Sequence, residues 1–316
     1  IIQKVVGAFA WVLRKFMNIS GSEGLVAAGN IFMGMTESPV LIKNYLPTMN
    51  RSEIFLVMVS GMGTIAGSVM GTYIGMLGGT DPAAKVLFAT HLLSASVMAV
   101  PGSIVLAKML CPQTEEATDH VAISGKEKEN SNILDAISSG TVTGVKLMTN
   151  IAAMLLVFIS LVALANYITE GVIGRYTGLN DWIVKITDGK AQGLTFQFIL
   201  GVITSPFMWL IGVPSQDIML VGSLLGQKTI LNEFVAYFQL QQWKDAGLFM
   251  YEKSILMSTY ILCGFANISS IGILLGGLGV LAPEKRGLIS RIGVPAMIGG
   301  ALVSVLSATI IGMILG

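Results

Sequence analysis

Long uncharged runs separated by short polar stretches are the main pattern of this chain. Six apolar segments contain at most one charged or histidine side chain each, and each is as long as the roughly 20 residues that a helix needs to cross a hydrocarbon core of about 30 Å. They cover residues 54–80, 86–107, 141–169, 193–216, 254–283 and 292–316. The pattern predicts an all-α integral membrane protein with about six spanning helices.

Two further apolar stretches are too short to cross a membrane. Residues 24–49 are interrupted by a polar run around Glu37. Residues 213–242 are interrupted at 226–228, and the apolar piece 230–240 that follows contains Asn232 and Glu233. Both stretches are typical of re-entrant hairpins, whose bent backbone is tolerated at membrane depth only inside protein or beside a cavity. The two bends are therefore candidate binding sites.

The remaining segments complete two similar units. Residues 1–23 predict an N-terminal interfacial helix, residues 111–135 form a charged, solvated loop, and residues 136–192 predict a scaffold helix followed by an interfacial segment. A hairpin followed by membrane helices occurs in residues 24–110 and again in residues 193–316. Interrupted segments at corresponding places in two halves point to the substrate site of a transporter.

Composition and charge narrow the class of protein. The chain is 53% hydrophobic and only 12% charged, and its net charge is +1, whereas a soluble domain has roughly 25% charged residues. These values exclude a soluble enzyme and give no basis for binding nucleic acid. The sequence contains no phosphate-binding glycine loop with a lysine, no metal-ligand cluster and no nucleophile–base pair. We therefore expect neither an enzyme nor an ATP-driven pump, and no enzymatic cofactor.

Two carboxylates and two polar side chains are the first candidates for binding. Glu37 and Glu233 lie inside apolar segments, where a charge is costly unless it is paired or faces water. The alternative for Glu37 is a capping role at a helix start in an interfacial loop. Asn267 and Ser270 are three residues apart and so share one helical face, where they either contact a ligand or hold helices together.

A second candidate site lies at the start of a row of regularly spaced glycines. Glycines recur every fourth residue from Gly63 to Gly75, and helix packing alone explains this spacing. If the helix unwinds beside Thr64 and Ile65, however, its oxygens suit a hard cation such as Na⁺. His91 is either a proton relay or a packed, hydrogen-bonded side chain, and Lys146 lies near a helix end or faces the protein interior.

Four short motifs occur in a fixed order along the chain. They are GNIFMGMTESP at residues 29–39, TIAGSV at 64–69, KTILNEFVAY at 228–237 and CGFANISS at 263–270. Together they resemble the motifs of the concentrative nucleoside transporter family, and the resemblance extends over essentially the whole chain.

The resemblance implies a fold and an assembly. It implies an elevator-type transporter built from an inverted repeat, with two re-entrant hairpins and two unwound helices, assembled as a homotrimer in the cell membrane, which is the inner membrane if the source is prokaryotic. About three further membrane helices would precede the first hairpin, and this sequence does not contain them.

The resemblance also implies two sets of site residues. The nucleoside would contact Met35, Thr36, Glu37, Val69, Leu147, Glu233, Phe265, Asn267 and Ser270. The coupling Na⁺ would be bound by Asn30, Thr64 and the main-chain carbonyls of Met33 and Ile65.

The function implied is sodium-coupled symport of nucleosides of the uridine, cytidine and adenosine class. Proton coupling through Glu37 or His91 is the alternative, and a facilitative pore for small polar solutes is a further one. Many family members have glutamine where this chain has Met35, so the resemblance assigns neither a purine nor a pyrimidine preference.

Overall fold

The computed structural model describes residues 2–115, 160–187 and 191–316, together with Gly189 and scattered positions between 134 and 157. All regular elements in this part of the chain are helices, which confirms the predicted all-α class. The chain forms two compact units, Ile1–His120 with Leu200–Gly316, and Val121–Ile199. The finer segment limits predicted from the sequence stay predictions.

The first part of the larger unit contains five α-helices and one short 3₁₀ helix. They are α1 (Ile2–Met17), α2 (Gly21–Gly29), the 3₁₀ helix Ser38–Ile42, α3 (Arg51–Gly63), α4 (Gly67–Gly78) and α5 (Pro82–Leu110).

The last part of the chain repeats this order. It contains α7 (Phe196–Leu210), α8 (Ile218–Ile230), α9 (Glu233–Asp245), α10 (Glu252–Leu262), α11 (Ile268–Leu281), the 3₁₀ helix Pro283–Lys285 and α12 (Arg286–Ile314). In each half, a helical hairpin precedes a helix that breaks near its middle, and a 29-residue helix follows.

The smaller unit contains a π-helix, Tyr167–Gly174, one α-helical turn, Arg175–Thr177, and helix α6 (Leu179–Ile186). Within it, Asn166 Oδ1 accepts a hydrogen bond from the Phe196 amide at 2.7 Å, and Asn180 Oδ1 accepts one from the Leu194 amide at 3.0 Å. These side chains fix the segment that leads out of the unit. Part of the predicted span 141–169 lies outside the described residues, and so does Lys146.

Three helical spans are long and apolar enough to cross a membrane in the described part of the chain: Arg51–Gly78, Pro82–Leu110 and Pro283–Ile314. They contain the predicted segment 86–107 and nearly all of 54–80 and 292–316. The predicted span 193–216 is shorter than expected, because α7 has 15 residues and the chain turns at Gly212, where φ is 83°. At 1.5 Å per residue, α7 covers about 22 Å, less than a hydrocarbon core.

Both predicted hairpins are present as bends, but they differ in regularity. The second is a pair of helices, α8 and α9, joined at Leu231 and Asn232. In the first, only α2 is an α-helix, and the returning leg is a 3₁₀ helix followed by turns. Pro39 and Pro47 explain the irregular leg, since proline lacks the amide that a helix interior requires.

Polar contacts fix the base of each hairpin. Lys108, near the end of α5, donates to Glu23 in α2 and to Ser52 in α3. In the second half, Asp217 is fully buried and accepts hydrogen bonds from the amides of Met250 and Tyr251, at 3.0 and 3.1 Å, just before α10. Each hairpin is thus held to the helix that follows it.

Candidate functional site

The two broken helices meet at their breaks. Helix α3 ends at Gly63 and α4 begins at Gly67, while α10 ends at Leu262 and α11 begins at Ile268. The Phe265 amide donates to the Thr64 carbonyl oxygen at 3.3 Å, which joins the two breaks directly.

Gly264 is required at this crossing. Its φ is 146°, and a Cβ there would lie 2.9 Å from the Met62 carbonyl oxygen and 2.9 Å from Ser304 Oγ. Any side chain would push the breaks apart, so the sequence needs glycine here.

Glu233 lies at the first turn of α9 and is 7% exposed. One carboxylate oxygen accepts a hydrogen bond from Tyr73 Oη at 3.2 Å, and the other accepts one from Asn267 Nδ2 at 3.0 Å. A carboxylate has about four acceptor positions. At most two therefore remain for a ligand that donates hydrogen bonds.

Asn267 caps the start of α11 and orients the second break. Its Oδ1 accepts hydrogen bonds from the Ser270 amide at 2.9 Å, from Ser270 Oγ at 3.0 Å and from Ser269 Oγ at 2.6 Å. The cap fixes the side-chain amide so that its Nδ2 points at Glu233. The structure thus brings Glu233, Asn267 and Ser270 into one hydrogen-bonded cluster.

The bend of the first hairpin contributes a different surface. Met35 is buried against Gly61, where a Cβ would lie 2.9 Å from Met35 Cβ. Thr36 is half-buried and contacts the second half of the chain, since a Cβ on Gly277 would lie 3.5 Å from its methyl group. Thr36 Oγ1 also donates to Glu37 Oε2 at 3.0 Å.

Glu37 itself is exposed in the described structure. It stands directly before the 3₁₀ helix Ser38–Ile42 but makes no capping hydrogen bond with its side chain. The capping alternative therefore has no contact to support it.

The other predicted contacts lie beside the Glu233 cluster. Val69 and Phe265 are half-buried and pack against a core that contains Tyr73 and Tyr237, whose rings stack with centroids 4.2 Å apart. Leu147 lies outside the described residues.

The predicted cation ligands lie where the first hairpin meets the first break. Asn30 is fully buried, and its Nδ2 donates to Ser60 Oγ at 2.8 Å, while its Oδ1 has no hydrogen-bond partner. Thr64 is 2% exposed and donates to the Ser60 carbonyl at 2.8 Å. The Phe32 carbonyl accepts a hydrogen bond from the Gly67 amide at 3.3 Å, which links the bend to α4.

A buried acceptor without a donor is costly and needs an explanation. The Asn30 Oδ1 atom is that acceptor, and amide, hydroxyl and carbonyl oxygens are the ligands of hard cations. The residues present therefore fit a Na⁺ ion. Groups of three or more His, Cys, Asp or Glu side chains that could hold a metal are absent from the described part of the chain.

Three residues at the second break were missed by sequence reasoning. Lys228 is fully buried, and its Nζ donates to the Ile261 carbonyl at 2.8 Å and to Ser304 Oγ at 2.9 Å. The charge of Lys228 at the interruption between two apolar pieces was a visible signal. Tyr73 and Ser304 gave none, because each acts from a helix distant in sequence.

His91 is hydrogen-bonded rather than isolated. Its Nδ1 lies 3.2 Å from Tyr260 Oη, and the two rings meet edge to face with centroids 5.7 Å apart. This is the packed arrangement that the sequence left open beside a proton relay.

Two protein families match this chain. A family described as "Na+ dependent nucleoside transporter C-terminus" matches residues 91–312, and one described as "Nucleoside recognition" matches residues 1–80. The fold and these family matches define a helical membrane transport protein. The chain belongs to the concentrative nucleoside transporter family.

Individual relatives agree with this assignment. An uncharacterized transporter of Haemophilus influenzae is 39% identical over 100% of this chain and 71% of its own length. Sodium/nucleoside cotransporter 1 of Rattus norvegicus is 38% identical over 99% of this chain and 47% of its own length. The structure of CNTnw in an inward-facing substrate-bound state matches with a TM-score of 0.84 at 34% identity, over 100% of this chain and 70% of that one.

Proposed function

We propose that this protein carries nucleosides across the cell membrane and couples their movement to Na⁺. The main observation in support is the Glu233 cluster, in which a buried carboxylate keeps up to two acceptor positions free beside Asn267. Two adjacent ribose hydroxyls match these positions, and hydrogen bonds to a charged acceptor contribute about 1.5–3 kcal/mol each.

The base of the nucleoside would lie toward the first hairpin. Thr36 and Glu37 provide polar groups there, while Val69, Phe265 and Leu147 would supply apolar contacts to the ring. Met35 brings a thioether to this wall, and a thioether is only a weak acceptor. We therefore expect firm dependence on the ribose and weak discrimination among bases.

The proposed Na⁺ site comprises Asn30, Thr64 and the carbonyls of Met33 and Ile65. Its support is the unpartnered Asn30 Oδ1, which a cation would satisfy. Because Asn30 also joins the first hairpin to α3 through Ser60, bound Na⁺ would stiffen that contact before the nucleoside arrives. One Na⁺ crossing 100 mV supplies about 2.3 kcal/mol, or roughly fifty-fold accumulation.

The transport step would be an elevator movement of the part that contains both hairpins, within a homotrimer. Its support is the rigid attachment of both hairpins at their bases, through Lys108 with Glu23 and through Asp217. Elements held in this way move with their neighbours rather than independently.

Counterflow tests the substrate class directly. Liposomes containing the purified protein and unlabelled uridine should draw in labelled uridine faster than liposomes loaded with uracil or ribose. Equal rates with every solute would indicate a facilitative pore and would refute the proposal. Liposomes loaded with adenosine and cytidine measure the base preference in the same assay.

A substitution tests the coupling ion. Asn30→Ala should abolish the Na⁺ dependence of uridine binding and leave the fold intact, because it removes one proposed ligand. Thr309→Ala is a matched control, since its hydroxyl bonds only within its own helix, to the Val305 carbonyl. Uridine binding that responds to pH and ignores Na⁺ in the unsubstituted protein would support proton coupling instead.

A further inference from the structure

A fully buried lysine lies at the second helix break and is not among the proposed nucleoside contacts. Lys228 lies in α8 of the second hairpin and is 0% exposed. A buried ammonium is costly unless strong hydrogen bonds compensate for the lost water. Its partners are not carboxylates in hydrogen-bond contact but the Ile261 carbonyl and Ser304 Oγ, at 2.8 and 2.9 Å.

Ser304 extends the reach of this ammonium to a second carbonyl. Its hydroxyl donates to the Cys263 carbonyl oxygen at 2.8 Å while it accepts from Lys228. Ile261 and Cys263 stand at the C-terminal end of α10, where free carbonyls and the helix dipole concentrate negative charge. The ammonium thus does what a bound cation would do at a helix end.

Lys228 and Glu233 attach the same hairpin bend to the same break. Lys228 bonds to Ile261, and five residues later Glu233 bonds to Asn267. The bend and the break therefore form a closed ring with one charged contact at each end. If either contact were lost, the hairpin bend could rotate about the other.

In the first half of the chain, the corresponding contact between hairpin and break has no charged side chain. There the hairpin side chain that reaches the break is Asn30, whose Oδ1 has no partner. The first break thus has an oxygen without a donor that could bind a cation, while carbonyls of the second break are already bonded to the Lys228 ammonium or to Ser304.

We infer that Lys228 is a tethered cation, which occupies in the second half the role that Na⁺ takes in the first and positions Glu233 for the ribose. It is a positioning residue and does not touch the nucleoside. This inference rests on the proposed nucleoside site and adds to it the group that holds the carboxylate in place.

The test compares ribose recognition in charge-removing variants. Lys228→Met keeps most of the length of the side chain and removes its charge, and Lys228→Ala also leaves space. The dissociation constants of uridine and 2′,3′-dideoxyuridine are measured by calorimetry in each. We expect uridine binding to weaken about tenfold in Lys228→Met while dideoxyuridine changes less than about twofold, since the loss passes through Glu233. Lys85→Ala, at an exposed position in α5, is the control.

Chemical rescue provides a second readout that a merely structural role would not change. Methylammonium should restore most of the uridine affinity of Lys228→Ala, because it can enter the vacated space and bond to the same oxygens. It should not rescue Lys228→Met, whose side chain fills that space. If Lys228→Ala does not fold, Ser304→Ala tests the same ring, since it keeps the ammonium and removes one of its two acceptors.

Two kinds of result would contradict the role of Lys228. Equal losses for uridine and dideoxyuridine in the Lys228 variants, or absence of rescue by methylammonium in folded Lys228→Ala, would overturn the inference alone. Equal affinities for the two ligands in the unsubstituted protein would overturn the proposed ribose site and this inference with it.

Discussion

Replacing Glu233 with glutamine removes the charge at the second break and keeps the shape of the side chain. Tyr73 and Asn267 fill two of about four acceptor positions on the carboxylate, at 3.2 and 3.0 Å, which leaves at most two for ribose. A hydrogen bond to a charged acceptor contributes about 1.5–3 kcal/mol and a neutral one about 0.5–1.5. Losing the charge therefore costs about 1–1.5 kcal/mol per bond, or roughly 30- to 150-fold in nucleoside affinity for two bonds.

Calorimetric titration of uridine into the purified variant measures this loss. Glu252→Gln is the matched control, because Glu252 is exposed in the first turn of α10 and the substitution is identical. The thermal melting temperature of both variants should stay close to that of the unsubstituted protein. Near-normal uridine binding by Glu233→Gln would remove this carboxylate from the site and refute the reasoning.

Three further substitutions test other contacts. Tyr73→Phe removes one of the two donors on the buried carboxylate and should weaken uridine binding several-fold in the same titration, with unchanged affinity as the contrary result. Met35→Gln should sharpen the preference for one class of base by about 1 kcal/mol, roughly fivefold, and a panel of uridine, cytidine and adenosine affinities checks it. Gly264→Ala should lower the free energy of unfolding by about 1–3 kcal/mol, because a Cβ there meets a carbonyl oxygen at 2.9 Å. Gly272→Ala, where nothing lies within 4 Å, should leave the thermal melting temperature unchanged.

Much of the fold could be predicted because membrane helices leave a plain pattern of uncharged runs. The long helices containing residues 86–107 and 292–314 follow from that pattern alone. The break after Gly63 could be anticipated from the adjacent glycines and polar residues. The length of α7 could not, since residues 193–216 are uniformly apolar and only the backbone turn at Gly212 shortens the helix.

The candidate site divides in the same way. Glu233, Asn267 and Ser270 were visible because polar groups are rare in apolar segments, and their hydrogen bonds join them as one cluster. Lys228 lies in α8, and its bonds to the end of α10 and to Ser304 could not be predicted, because these partners lie 33 and 76 residues away in the chain. The exposure of Glu37 also could not be foreseen, since it depends on how the irregular leg of the first hairpin packs.

The most direct test of the central claim is accumulation of labelled uridine in liposomes that contain the protein and face an inward Na⁺ gradient. We expect uptake well above the external concentration. In a parallel set of liposomes with equal Na⁺ on both sides and a membrane potential of about 100 mV, negative inside, accumulation should approach roughly fifty-fold. Replacing Na⁺ with choline should reduce uptake to simple equilibration. Uptake that equilibrates regardless of Na⁺, or that follows an imposed pH gradient instead, would contradict sodium-coupled nucleoside transport.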